Sequence, residues 1–232
     1  MIKKQQLLKA VMYRIYSSAI TFLISYMLTG NLILSLSIGL IDSIVKIFSY
    51  YAFDELWGRI TGFRVSPAVV FLTGLSGAGK TTIAKKVIEK LRKKGLAPVL
   101  LDGDEIRNAI NLTGFDEESR KRHNLNVGYM SKILESQGKI VLVSLISPYD
   151  DIRNQIRAMC NKFIEVHVAT DIKVCMERDP KGIYKKAISG EIKDFTGISA
   201  PYYPPQNPEL VLDTASISAE ACAVKIIEQL KK

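Results

Sequence analysis

Residues Gly74-Leu75-Ser76-Gly77-Ala78-Gly79-Lys80-Thr81 fit the spacing GxxxxGK[ST], and the six residues before them, 68–73 (AVVFLT), are apolar throughout and read as a buried strand. Residues 80–93 that follow carry the spacing of an amphipathic helix. A strand passing into a helix through so glycine-rich a loop leaves few folds open. Glycines let the backbone turn tightly enough for its N–H groups to face anionic oxygens, and the helix adds the positive end of its dipole. The motif therefore assigns Gly74, Ser76, Gly77, Ala78, Gly79, Lys80, Thr81 and Thr82 to ATP. Lys80 would reach the β and γ phosphates, and the Thr81 hydroxyl would ligate Mg²⁺.

Beyond this loop, strand patterns at 97–102, 140–146 and 163–169 alternate with helical patterns at 122–136 and 219–231. That order predicts an α/β fold of the P-loop NTPase type, a mostly parallel sheet with helices on both faces. Ligands of such sheets bind at the carboxyl ends of the strands, where Asp102-Gly103-Asp104 falls. Lys80, Asp102 and Asp104 are thus the candidate catalytic residues. Asp104 is favoured for holding the metal together with Thr81 or for taking a proton from an attacking hydroxyl. The same run would also serve as an Asx turn opening a helix at Glu105.

The apolar residues, 47% of the chain, are concentrated between residues 11 and 53. Two apolar stretches there flank Gly30-Asn31, which predicts a helical hairpin over 1–60, then a linker at 61–67 and the P-loop domain at 68–232. A membrane span needs about 20 mainly apolar residues; the first stretch, with Arg14 snorkelling, barely reaches that length and the second is adequate. Asp42 and Lys46 lie four apart and can neutralise each other within a bilayer. Lys3, Lys4, Lys9 and Arg14 precede the hairpin, and Arg59 and Arg64 follow it. That distribution predicts a multi-pass protein of the cytoplasmic membrane whose P-loop domain faces the cytoplasm, with Tyr50, Tyr51 and Trp57 near the interface. A soluble hairpin docked on the kinase is the alternative. The net charge of +9 suits phosphates or an anionic membrane, and no nucleic-acid partner is expected. Three dispersed cysteines and two histidines suggest neither a disulfide framework nor a zinc site.

The blocks FLTGLSGAGKTTIA, VLLDGDEIRNAI, GFDEESR, VGYMSKIL, LISPYDDIR, FIEVHV, RDPKGIYKKA, GEIKDFTGISAPY and NPELVLDT make residues 68–230 resemble the adenylylsulfate kinase family. The resemblance implies transfer of the γ-phosphate of ATP to the 3′-hydroxyl of adenosine 5′-phosphosulfate, giving PAPS for sulfate assimilation. It implies that Phe115 and Phe195 clasp the acceptor's adenine, and that Arg107 and Arg120 hold its phosphosulfate. Ile146, Ser147 and Pro148 would shape the pocket, and Lys181 would belong to a closing lid. A homodimer is an open alternative for assembly. Residues 4–60, through LLKAVMYR, ISYMLTGN and SIGLIDSIVKIFSYYAFDELW, resemble a family of short two-helix membrane proteins, which implies a location rather than a reaction.

The chain departs from the kinase pattern at His123, Leu125 and Asn126, where an Asn and an Arg pair are usual. It departs again at Asp150 and Ile188, which replace Arg, and at Tyr203, which replaces Glu. These positions leave two alternatives open, a kinase for another small hydroxylated metabolite and a nucleotide-binding module of a membrane complex.

Overall fold

In the computed structural model, residues 2–61 and 65–231 are described, with side chains except those of residues 2–11, 14, 54, 55 and 57–61. The basic residues Lys3, Lys4, Lys9, Arg14, Arg59 and Arg64, together with Trp57, lie outside the described side chains. The chain divides into two units, Met1–Phe63 and Arg64–Lys232.

The first unit is a pair of helices, α1 (Ile2–Thr29) and α2 (Leu32–Thr61). They are joined at Gly30, whose φ of 62° is the left-handed conformation that ends a helix. Asn31 Oδ1 accepts from Leu34 N and so opens α2. Between the helices runs a line of polar contacts. Ser18 and Ser43 hydroxyls lie 2.7 Å apart, Thr21 donates to Asp42 Oδ2 at 3.1 Å, and Lys46 Nζ donates to Ser17 Oγ at 2.9 Å while pairing with Asp42 at 2.7 Å. The large apolar side chains instead point outward: Met27, Leu28, Ile33 and Phe48 are among those more than 70% exposed. Polar groups between helices and apolar groups outside is the arrangement that lipid favours, since it offers no hydrophobic drive for helices to associate. Leu32–Phe53 is long and apolar enough to cross a membrane, whereas the apolar part of α1, Ile15–Thr29, is shorter.

The second unit is built on β1 (Ala68–Thr73), buried at every residue because it is the central strand of the sheet. The other strands are β2 (Val99–Asp102), β3 (Ile140–Ser144), β4 (Phe163–Val168) and β5 (Leu210–Leu212), in the order β2-β3-β1-β4-β5 and all parallel. Parallel strands need crossovers, and helices supply them: α3 (Lys80–Lys93), α4 (Gly103–Ala109), α5 (Glu117–Ser136), α6 (Asp150–Met159), α7 (Ile172–Arg178) and α8 (Ile183–Ile188), while α9 (Ala219–Leu230) follows the last strand. One side of the sheet buries Val69, Phe71, Val141 and Val143 against Val127, Ile152 and Ile156. There α5 approaches α6 so closely that a Cβ on Gly128 would lie 2.6 Å from Ile156. With every strand pointing the same way, the loops after β1, β2, β3, β4 and β5 all leave from one edge of the sheet.

Several boundaries differ from the sequence expectation. α5 begins at Glu117 rather than 122 because Asp116 caps it, accepting from Ser119 N at 2.9 Å. β3 stops at Ser144, the last residue paired with β2, although Leu145 N still donates to Leu72 O of β1 at 3.2 Å. α4, α6, α7, α8 and β5 are too short to carry a legible period.

Candidate active site

The loop after β1 needs glycine at two points above all. A Cβ on Gly74 would lie 2.5 Å from the Val168 carbonyl oxygen at the end of β4. Gly79 has φ of 97° as it opens α3. The loop's carbonyls are held from outside: Thr170 and Thr214 hydroxyls donate to Ala78 O at 3.2 and 2.9 Å, and the Tyr184 hydroxyl donates to Ser76 O at 3.0 Å. Arg178 donates to Thr214 O at 2.8 Å and reaches Gly77 O at 3.5 Å. Carbonyls engaged in this way do not confront an incoming anion.

Lys80 is buried, and its Nζ donates to Gly74 O and Leu75 O at 2.9 and 2.8 Å. Burial pushes its pKa down to about 8, although the nearby Asp104, Cys175 and Asp102 resist the shift. A triphosphate beside it would supply the missing counter-charge.

Thr81 Oγ1 donates to Asp102 Oδ2 at 2.7 Å and sits 2.9 Å from Ser144 Oγ. The other oxygen of Asp102 accepts from Asp104 N at 3.0 Å and Glu105 N at 3.4 Å, capping α4. The capping role that the sequence left open at this run therefore falls to Asp102. Asp104 keeps its carboxylate free of the backbone, paired instead with Lys181 Nζ from the segment before α8.

On the other side of the cleft, Arg107 donates to Gly114 O at 2.5 Å and lies 4.7 Å over the Phe115 ring. Burial lowers its pKa, and the like charge of Arg120 adds to that. Arg120 donates to Thr196 Oγ1 at 2.8 Å and to Asp194 O. Phe115 is 57% exposed, whereas Phe195 is buried in an edge-to-face contact with Tyr184, 4.9 Å between centroids. The two aromatics thus have different partners here. Ile146 O accepts from Thr73 Oγ1 at 2.6 Å, which ties the β3 loop to β1. Ser147, buried, has φ of 44°, a conformation unusual for a residue with a Cβ. Pro148 is buried beside it.

A family model for adenylylsulphate kinase matches residues 66–213, nearly two-thirds of the chain. The chain belongs to the adenylylsulphate kinase family. Among curated relatives of this kinase, the adenylyl-sulfate kinase of Rippkaea orientalis is 48% identical over 166 residues, covering 70% of this chain and 91% of that protein. That of Bacillus licheniformis is 42% identical over 167 residues, 71% of this chain and 85% of that protein. Among solved structures, the Mycobacterium tuberculosis APS kinase in complex with AMPPNP and APS superposes with a TM-score of 0.69 at 36% identity, covering 73% of this chain and all of that one. A second family model, described as a predicted membrane protein (DUF2061), matches residues 7–58.

Two of the kinase's departures from the family pattern have structural partners that its sequence did not reveal. Asp150 opens α6 and pairs with Arg153 at 2.8 Å and Asn154 at 3.0 Å. The Tyr203 backbone accepts from Arg153 at 2.8 Å and donates to Pro148 O at 2.9 Å. Ile188 is exposed, Asn126 is exposed, and Leu125 packs against the core. Arg153, 1% exposed, is the hub: it also donates to Ser147 O at 2.6 Å and lies 2.9 Å from Glu165 as an ion pair. Replacing it with methionine leaves Glu165 short of a partner and frees the Ser147 turn. Arg153→Met is expected to cost about 3 kcal/mol, a fall in Tm of roughly 6–12 °C by scanning calorimetry.

Sequence reading missed Arg153, Thr170, Arg178, Tyr184 and Thr214. Thr170 and Thr214 lie just beyond the carboxyl ends of β4 and β5, the strand-end rule that pointed to Asp102. Arg178 opens the block RDPKGIYKKA. Arg153 offered no comparable signal.

Proposed function

We propose that this adenylylsulphate kinase moves the γ-phosphoryl group of ATP to the 3′-hydroxyl of adenosine 5′-phosphosulfate, on the cytoplasmic face of a membrane that its N-terminal hairpin crosses. The observation that carries the reaction is the continuous link Thr81–Asp102–Asp104. It ties the phosphate loop to a carboxylate at the adjoining strand end.

In this reading the loop 74–82 and Lys80 hold the triphosphate and neutralise its charge. Arg107 and Arg120 take the phosphosulfate, and Phe115 offers a stacking face to the adenine. Phe195 completes the clasp only by turning out of its contact with Tyr184. Ile146, Ser147 and Pro148 form the wall beside it. Asp104 takes the proton of the 3′-hydroxyl as that oxygen bonds to the γ-phosphorus and the bond to the β,γ-bridging oxygen breaks, releasing ADP. Lys181 then has two partners to choose between, Asp104 and the transferring group, which suits a lid. Thr81, Asp102 and Asp104 offer only oxygen donors, the set that Mg²⁺ prefers, and Thr81 with Asp104 would hold it. Bound there, the ion would neutralise charge on the β and γ oxygens.

For Asp104→Asn, kcat is expected to fall by about 10²-fold with the KM for ATP changed less than about threefold. Steady-state ADP release with adenosine 5′-phosphosulfate as acceptor reads this directly. An unchanged kcat would remove Asp104 from proton transfer.

The membrane reading rests on α2, whose Leu32–Phe53 window is long, apolar and mostly uncovered, and on the matched membrane-protein family. α1 would cross beside it, its shorter apolar part helped by the contacts of Ser17, Ser18 and Thr21 with α2. Lys3, Lys4, Lys9 and Arg14 before the hairpin and Arg59 and Arg64 after it would keep both ends in the cytoplasm.

A further inference from the structure

His123 is buried within α5, only 3% exposed, and the reaction as described gives it no part. Its Nε2 lies 3.0 Å from the carbonyl oxygen of Gly103. A carbonyl only accepts, so Nε2 carries the proton and donates. Nδ1 is then a bare acceptor, and it is buried without a partner. An apolar side chain would fill this place with no orphaned nitrogen, so what the imidazole adds is its N–H. Burial and the neighbouring Arg107 charge lower its pKa, which keeps the ring neutral with a single N–H.

Gly103 sits between the two carboxylates of the site. A Cβ there would lie 2.2 Å from Leu145, so the turn is already pressed against the end of β3. Asp102 holds this turn from the phosphate-loop side through Thr81. His123 holds it from the α5 side, one turn along the same helix from Arg120. We infer that His123 is a positioning residue: its N–H fixes the Gly103 carbonyl and thereby sets Asp104, on the β2 turn, against the acceptor groups carried by α5. The inference rests on the reaction proposed above. Among the described residues, the polar link between α5 and the carboxylate turn passes through this one hydrogen bond, so its loss should act on the acceptor's reacting geometry and leave the phosphate loop alone.

The test compares the full-length protein with His123→Gln, whose side-chain amide can still donate to the carbonyl, and His123→Leu, which cannot. With saturating Mg·ATP, His123→Leu should lower kcat toward adenosine 5′-phosphosulfate by roughly tenfold to a hundredfold, with the KM for ATP unchanged, since small misplacements of a reacting group act on this scale. His123→Gln should recover most of the loss. Hydrogen exchange read by mass spectrometry gives a measure that needs no turnover. Peptides spanning 102–107 should exchange faster in His123→Leu than in His123→Gln or wild type, while those spanning 74–82 do not change. Wild-type kcat in His123→Leu, or equal loss in both variants with equal exchange at 102–107, would overturn the inference. If the wild-type protein showed no turnover on this acceptor, the proposed reaction would fall. The exchange pattern would still decide the role of His123.

Discussion

Lys80→Ala is expected to lower kcat by roughly 10³-fold and to weaken ATP binding, the largest effect of any single substitution in this chain. Nζ is buried and bonded only to carbonyls of its own loop, so the charge stands ready beside the space a triphosphate would take. The folded pKa of about 8 lies below the value of 10.5 for an unperturbed lysine, so between these values the unfolded chain binds more protons than the folded one. Folding at neutral pH therefore proceeds against the burial of this charge, and the stability of the wild type relative to Lys80→Ala should rise as pH increases from about 8 to 10.5. Urea unfolding of both proteins at pH 7 and pH 10 checks the sign. Activity near wild type in Lys80→Ala would mean that the phosphates bind elsewhere.

Removing the hairpin should change where the protein is found almost completely. The full chain is expected to sediment with membranes, to resist extraction by high salt and to be released by detergent. A chain beginning at Ser66 is expected to remain in the supernatant. The Leu32–Phe53 helix would extend about 33 Å, the thickness of a hydrocarbon core, and its apolar side chains are not covered by α1. Turnover per molecule on a soluble acceptor should stay within about threefold, because the residues assigned to phosphates and acceptor all lie after position 73. Release of the full chain by salt alone would show an electrostatic surface attachment in place of insertion.

How much of this could be read from the sequence depended on how local the cause was. The loop 74–81 and strand β1 were legible because steric need and burial act on consecutive residues, and the expected span 68–73 coincides with β1. The Gly30 turn was legible for the same reason. Asp102 was recognised as a site residue and Asp104 was favoured for the metal or the proton, but which of them caps the helix was left open. Asp102 caps α4 with one oxygen while the other accepts from the Thr81 hydroxyl, 21 residues away. Phe195 shows a partner that no local pattern encodes: its ring makes an edge-to-face contact with Tyr184, 4.9 Å between centroids. Asp150 and Tyr203 read in sequence only as departures from the family pattern. In space both serve the buried Arg153, a pairing across 50 residues in the case of Tyr203 that no local pattern encodes.

The reaction itself is tested most directly by identifying the products formed when the purified chain meets ATP, Mg²⁺ and adenosine 5′-phosphosulfate. Chromatography with mass detection should show ADP and 3′-phosphoadenosine 5′-phosphosulfate appearing in equal amounts, and Lys80→Ala should form neither. ADP without the phosphorylated acceptor, or transfer only to some other hydroxyl compound, would contradict the account.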